Sequence, residues 1–301
     1  MYTTDYLKLF IHALDLPEDS RAPLLHDYEA LLAAPGAEAE MKAAEDKLFA
    51  GAQWDALAPH MDKLADMSGL HRHVVDFLFL MAASERLRET YRTHNLPDAL
   101  FWDTIADLKY KLIECHDVYG IWGTFVAFWH PWFYTLRRFK LGRMQYEAIP
   151  FGGKEPVTLG GYTVKPGDTV YNMHIPSCGS LNRAARIDSY KKAYAFFRDK
   201  LDGKPIVFVC HSWLLFPGNR EILPPTLNMV DFIDDFHIYE AQESDEFHDK
   251  WRVFGKDFEK PDAELPEDTT QRRCFKKWLL AGKKTGVGAG IFLYDGENFV
   301  K

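Results

Sequence analysis

The run DTVYNMHIPSCGSLNRAARIDSYKKAYAFF, Asp168 to Phe197, sets an imidazole, a thiol, a glycine and two guanidinium groups close together in the chain. His174 ends a strand-like run, Cys178 and Gly179 follow Pro176 and Ser177 in a turn, and Arg183 and Arg186 open a helix-like run. Three chemistries suit this set. A histidine near a strand end exchanges protons around neutral pH, so His174 is a candidate general acid or base; a structural hydrogen-bonded histidine and a metal ligand are its other readings. Cys178, near a helix start and two arginines, is a candidate nucleophile beside His174. The turn itself suits an anion held by backbone N–H groups and the positive end of a helix, with Ser177, Gly179, Ser180, Arg183 and Arg186 as its candidate contacts.

A second strand-like run, PIVFVCHSWLLF, follows one helix later. A strand, a helix and a strand in that order favour a parallel pair, whose carboxyl ends would bring His174 near His211 or Ser212. Glu240, ending FHIYE, is a second candidate base or a surface carboxylate, and Asn228 near a helix start either contacts a cofactor or caps the fold. Ser177 and Ser212 both lie outside any GxSxG, which counts against a serine hydrolase. No metal site is expected: His71 and His73 are two apart on a helix-like run and diverge, His130 adjoins Pro131, no HExxH occurs, and the four cysteines contain no CxxC pair. KKTGVGAG, Lys283 to Gly290, lies after a helix and before a strand, the wrong order for a dinucleotide loop, and reads as a flexible connector.

The elements that must carry these residues change character along the chain. Up to about Tyr119 apolar residues recur every three or four positions, as in Leu70, Val74, Phe77, Leu78 and Met81 and again in Leu100, Ile105, Leu108, Leu112 and Ile113. GIWGTFVAFWHPWFYTLRRF is strongly aromatic, and Pro131 is expected to break or kink a helix there. From about Leu141 strand-like runs dominate, including MQYEAI, TVYNMHI, FHIYEAQE, KWRVFG and GAGIFLYDG, with LGGY and KPGD as turns. Helices are expected at 186–201, 226–235, with Thr226 as N-cap, and 268–281. The fold class is α+β (mixed α/β), with a helical domain at 1–135 and a mixed domain at 136–301.

Composition narrows the partners. The 301 residues are 47% hydrophobic, enough for sizeable cores, and the formal charge of -8 argues against nucleic acid, whose phosphates reward clustered positive charge. No leader or membrane span is read from the sequence, so a cytoplasmic location without a membrane partner is expected, and the scattered cysteines give no disulfide framework. The aromatic content of 15% favours an apolar cleft.

HIPSCG, SYKKAYAFF and HSWLLFP, within a run extending to FHIYE, resemble bacterial N-acyltransferase-like proteins that join a helical amino-terminal domain to a GNAT-like carboxyl-terminal domain. The resemblance spans nearly the whole chain. It implies a central mixed sheet that splays between two parallel strands, here TVYNMHI and IVFVCHSWLL, with PSCGSLNRAARI as the pyrophosphate loop. The superfamily's RxxGxG spacing is absent; only Gly179 precedes Arg183 and Arg186. The resemblance implies acetyl-CoA or another acyl-CoA as donor and a small-molecule amine or peptide as acceptor. His174 or Glu240 would act as base, His211 or Cys178 as further catalytic candidates, and Ser177, Gly179, Ser180, Arg183, Arg186 and Asn228 as cofactor contacts. A non-catalytic small-ligand binder with a degenerate pocket, and a Cys178/His174 thiol enzyme, are the competing readings.

Overall fold

Amphipathic periodicity produces seven helices at the start of the chain: α1 (Thr4–Leu14), α2 (Glu18–Ala33), α3 (Ala37–Phe49), α4 (Trp54–Ser68), α5 (Arg72–Thr93), α6 (Asp98–Ile105) and α7 (Asp107–Tyr119). The computed structural model describes residues 2–300. Every residue of α5 from Val74 to Ser84 is buried, because this helix runs through the middle of its neighbours and is apolar on all sides. Phe10 of α1 meets Phe77, Trp54 of α4 meets Phe79, and Phe101 of α6 meets Tyr91. The apolar stripe at Leu100–Ile113 is shared between α6 and α7, which part at Ala106. Pro131 does not break a helix; it opens the short α8 (Pro131–Tyr134), where its missing N–H costs nothing. The aromatic run here is laced with cations, with Arg137 over Trp132 and Arg138 over Trp129. Among the described residues no helix is long and apolar enough to cross a membrane.

The first compact unit ends at Phe139 and the second begins at Lys140. The second is built on a mixed sheet whose strands are β1 (Arg138–Leu141, entering from the end of the first unit), β2 (Met144–Pro150), β5 (Thr169–His174), β6 (Ile206–Ser212), β8 (Thr285–Tyr294) and β7 (His237–Ser244) in that spatial order, with β9 (Phe299–Val300) also on β8. A separate hairpin, β3 (Val157–Leu159) and β4 (Tyr162–Val164), turns at Gly160-Gly161 as the sequence suggests. β2 and β5 are antiparallel, β5 and β6 parallel, and the β6–β8, β7–β8 and β8–β9 pairs antiparallel. The parallel pair is bridged by α9 (Arg183–Phe197), which starts three residues before the expected helix because Asn182 caps it, accepting from the Ala185 N–H.

One face of the sheet packs on α9, Tyr171 against Phe197 and Phe208 and Phe292 against Tyr190, with Tyr146 beside Phe208. The opposite face carries a smaller core of Phe151, Val164, Val170, Val209 and Ile291, partly covered by the β3–β4 hairpin.

Local departures from the sequence reading fall in the carboxyl-terminal half. KWRVF forms a helix, α12 (Lys250–Phe254), whose five residues fit either period. The expected helix at 226–235 is α11 (Asn228–Ile233), with Leu227 rather than Thr226 at its N-cap, after a separate turn of helix, α10 (Asn219–Ile222). α13 (Thr270–Leu280) falls within its expected span. The glycines of KKTGVGAG are no connector: β8 begins at Thr285 and runs through them. A Cβ at Gly288 would run into the Leu215 carbonyl, and one at Gly290 would lie 2.8 Å from Phe236. Glycine serves here because another chain segment approaches the strand closely.

Candidate active site

The β5–β6 ladder is short. Its registered pairs are Tyr171↔Phe208 and Asn172↔Val209, whereas β6 continues through Cys210, His211 and Ser212, which pair only with Gly290, Ala289 and Gly288 of β8. Two parallel neighbours that pair at their middles and separate at their carboxyl ends leave a wedge-shaped opening in the sheet.

His174 ends β5 at this opening, and it is not alone. Glu147 lies opposite Asn172 in the antiparallel β2–β5 register, so both side chains share the face that bears His174. The Glu147 carboxylate lies 2.7 Å from His174 Nε2, and the Asn172 amide donates to the same carboxylate oxygen at 3.1 Å. The His174 side chain is 17% exposed and that of Glu147 only 7%, so the carboxylate is buried behind the ring. The imidazole is thus held against a buried carboxylate, an arrangement suited to a side chain that exchanges a proton near neutral pH.

His211 and Glu240 share that face. His211 is registered with Ala289, and Ala289 in turn with Glu240, after a bulge at Tyr239 in β7. Both side chains are exposed, and the buried part of β6 ends at Cys210. Burial pushes the Cys210 thiol up to about 12, which removes it from nucleophilic chemistry. The order across the face is therefore His174, His211, Ala289 and Glu240.

The loop between β5 and α9 brings the remaining candidates together, with two changes of role. Gly179 has φ 118°, a region that favours glycine, and open space where a Cβ would stand. Ser180 Oγ accepts from the Asn228 amide at 2.9 Å, which joins the loop to α11. Ser177, Gly179, Ser180 and Arg183 are exposed at the mouth of α9, and Arg183 also reaches Asp235 at 3.4 Å.

Arg186 does not serve the loop's outer surface. It is wholly buried, its Nε and Nη2 each lie 2.7 Å from carboxylates of Asp235 and Asp231, and its Nη1 donates to the Leu181 carbonyl at 2.5 Å. Tyr190 completes the cluster by donating to Asp235 at 2.8 Å; burial, then the neighbouring carboxylate, hold its hydroxyl well above the usual tyrosine range. Arg186 thus fastens α9 to α11 and is withdrawn from cofactor contact. Cys178 is likewise engaged, with Sγ 3.4 Å from Arg143 Nη1.

Sequence reading missed Glu147 and Arg143. A faint signal existed for Glu147, since alternation in MQYEAIP places Gln145 and Glu147 on one face with an acid in mid-strand. Arg143 sits in a turn and gave none.

The mixed sheet opens between its two parallel strands, and a glycine-bearing loop leads from the first of them into a helix capped by Asn182. The model of the GNAT-like C-terminal domain matches residues 138–292, and that of the N-acyltransferase N-terminal domain matches residues 5–136. The chain belongs to this N-acyltransferase family. Among solved structures it is similar to an acyltransferase in complex with decanoyl-CoA and teicoplanin, at 19% identity over 98% of this chain and 89% of that one, with a TM-score of 0.75. It is similar also to a mutant acyltransferase in complex with octanoyl-CoA, at 18% identity over 98% and 89%, with a TM-score of 0.73. The comparison with curated proteins gave no match.

Proposed function

We propose that the chain transfers an acyl group from acyl-coenzyme A to the amine of a small molecule or a peptide-like acceptor. The observation that carries the reading is the Glu147–His174 pair at 2.7 Å, set at the end of the strand that leads into the Ser177–Arg183 loop. Membership of the N-acyltransferase family supports it, as do the relatives' complexes with acyl-CoA and, for one of them, with teicoplanin.

The loop fits the donor. Its exposed glycine, its hydroxyls and the α9 amino terminus offer N–H and O–H donors to a pyrophosphate, and Arg183 adds positive charge. When bound, the thioester supplies an activated carbonyl carbon, which an amine attacks with loss of the coenzyme A thiol. The protein's part is to order the reactants and manage the proton. His174 takes the proton from the attacking amine, directly or through one water, while the buried Glu147 carboxylate holds the ring and steadies the imidazolium that forms. His211 and Glu240 line the acceptor side of the same face; Glu240, on an exposed edge strand without the buried partner His174 has, is the less suited base. Cys178, engaged by Arg143, serves the loop's geometry and not covalent catalysis.

Calorimetry with coenzyme A and with acyl-coenzyme A of short and medium chain length tests the reading. Binding in the micromolar range is expected; folded protein that binds no thioester contradicts the proposal, and binding without release of thiol to any of a panel of amines favours a ligand-binding role instead.

A further inference from the structure

The turn between β1 and β2 holds Arg143, whose guanidinium reaches across to the β5–α9 loop and grips it at several points. Nη1 donates to the Pro176 carbonyl at 2.7 Å, Nη2 to that of Gly179 at 2.8 Å and Nε to that of Ser180 at 3.1 Å. Nη1 also lies 3.4 Å from Cys178 Sγ, and that thiol faces back to the Arg143 carbonyl at 3.6 Å.

The consequence follows from peptide geometry. In a trans peptide the carbonyl of one residue and the N–H of the next point in opposite directions. Turning the Pro176, Gly179 and Ser180 carbonyls towards one cation therefore aims the N–H groups of Ser177, Ser180 and Leu181 away from it. A loop whose acceptors are gathered on one side presents donors on the other, which is the requirement for cradling an anion.

The mount for Arg143 is itself anchored on the helix that the loop enters. Ser189 of α9 accepts from the Met144 N–H at 3.0 Å, donates to the Leu141 carbonyl at 2.5 Å and meets the Tyr146 hydroxyl at 2.9 Å. Loop, α9 and the β1–β2 turn thus form a closed frame, and the Arg143 side chain is the strut that closes it. Only a planar fork spans three carbonyls in this way; a lysine ammonium is a single point and cannot.

We propose that Arg143 is the positioning residue of the phosphate site: it fixes the loop backbone in its anion-binding form without touching the ligand, in place of the glycine spacing that is absent here. This inference rests on the acyl-coenzyme A reading. It also assigns Cys178 to the frame as a small side chain packed beside the guanidinium.

The test compares acyl-coenzyme A with the matching acyl-pantetheine, which lacks the pyrophosphate, as donors for wild-type protein, Arg143→Lys and Arg143→Gln, with coenzyme A affinity measured by calorimetry. Both variants are expected to raise KM for acyl-coenzyme A by about tenfold or more, as loss of preorganisation predicts, with a smaller change in kcat. The preference for acyl-coenzyme A over acyl-pantetheine should fall by a similar factor, and thiol reagents should label Cys178 faster. Arg143→Gln that binds coenzyme A as tightly as wild type overturns the positioning role, and so does a loss shared equally by both donors, since that marks a general structural part. Wild-type protein that fails to bind coenzyme A overturns the underlying reading itself, a result seen before any variant is made.

Discussion

Glu147 and His174 lie on adjacent antiparallel strands, two residues out of register, and their side chains meet at 2.7 Å because they share one face of the sheet. The pairing gives the imidazole a fixed orientation and a counter-charge within a partly enclosed site. Substituting His174→Gln should lower kcat by about a hundredfold or more, the usual worth of a positioned general base, with little change in coenzyme A affinity. Steady-state rates alongside calorimetry check this; a variant with normal kcat assigns the proton transfer elsewhere.

Glu147→Gln tests the counter-charge separately. A carboxylate beside an imidazole favours its protonated form, which cannot act as a base. Removing the charge should therefore move the acid limb of the kcat/KM profile to lower pH while reducing the maximal rate. A profile that stays in place, or moves to higher pH, contradicts the assignment.

Arg186 gives a prediction of the opposite kind, in stability. Arg186→Leu leaves the buried Asp235 carboxylate without its fork, and breaking such a pair costs about 3–5 kcal/mol. Denaturant unfolding of the two proteins measures it. A variant of unchanged stability that has lost coenzyme A affinity would return Arg186 to phosphate contact.

The helical unit carries a pH signature of its own. Asp76 is raised to about 6, from 3.8, by burial that outweighs the hydrogen bond from Arg72. The folded state then binds this proton more tightly than the unfolded chain, so the group contributes stability below about pH 4 that fades as pH rises through 6. Asp76→Asn should remove this component and narrow the difference in melting temperature between pH 4.5 and pH 7. The same pH dependence in both proteins would contradict it.

The parts of this fold that local pattern controls were legible before the structure. Alternation in TVYNMHI and IVFVCHSWLL, the Gly and Pro turns between them and the helix signal from Tyr190 to Phe197 gave the strand–helix–strand unit and the placement of His174 at a strand end. What depended on partners distant in sequence was hidden. Glu147 becomes relevant only through the β2–β5 register, and Arg143 only because its turn is fastened to α9. Arg183 and Arg186 look alike in the sequence, yet one is exposed and the other is enclosed by Asp231 and Asp235. GAGIFLYDG read as a strand, but the glycines ahead of its apolar run hid the start of β8 at Thr285, since glycine is depleted from strands unless close packing demands it.

The most direct measurement is thiol release from acyl-coenzyme A across a panel of amines, run with wild-type protein and His174→Gln side by side. Amine-dependent release by the wild type, with formation of the acylated amine, and its near loss in the variant despite retained coenzyme A binding is the predicted result. Release that is independent of added amine, or equal in the two proteins, would contradict acyl transfer driven by the His174–Glu147 pair.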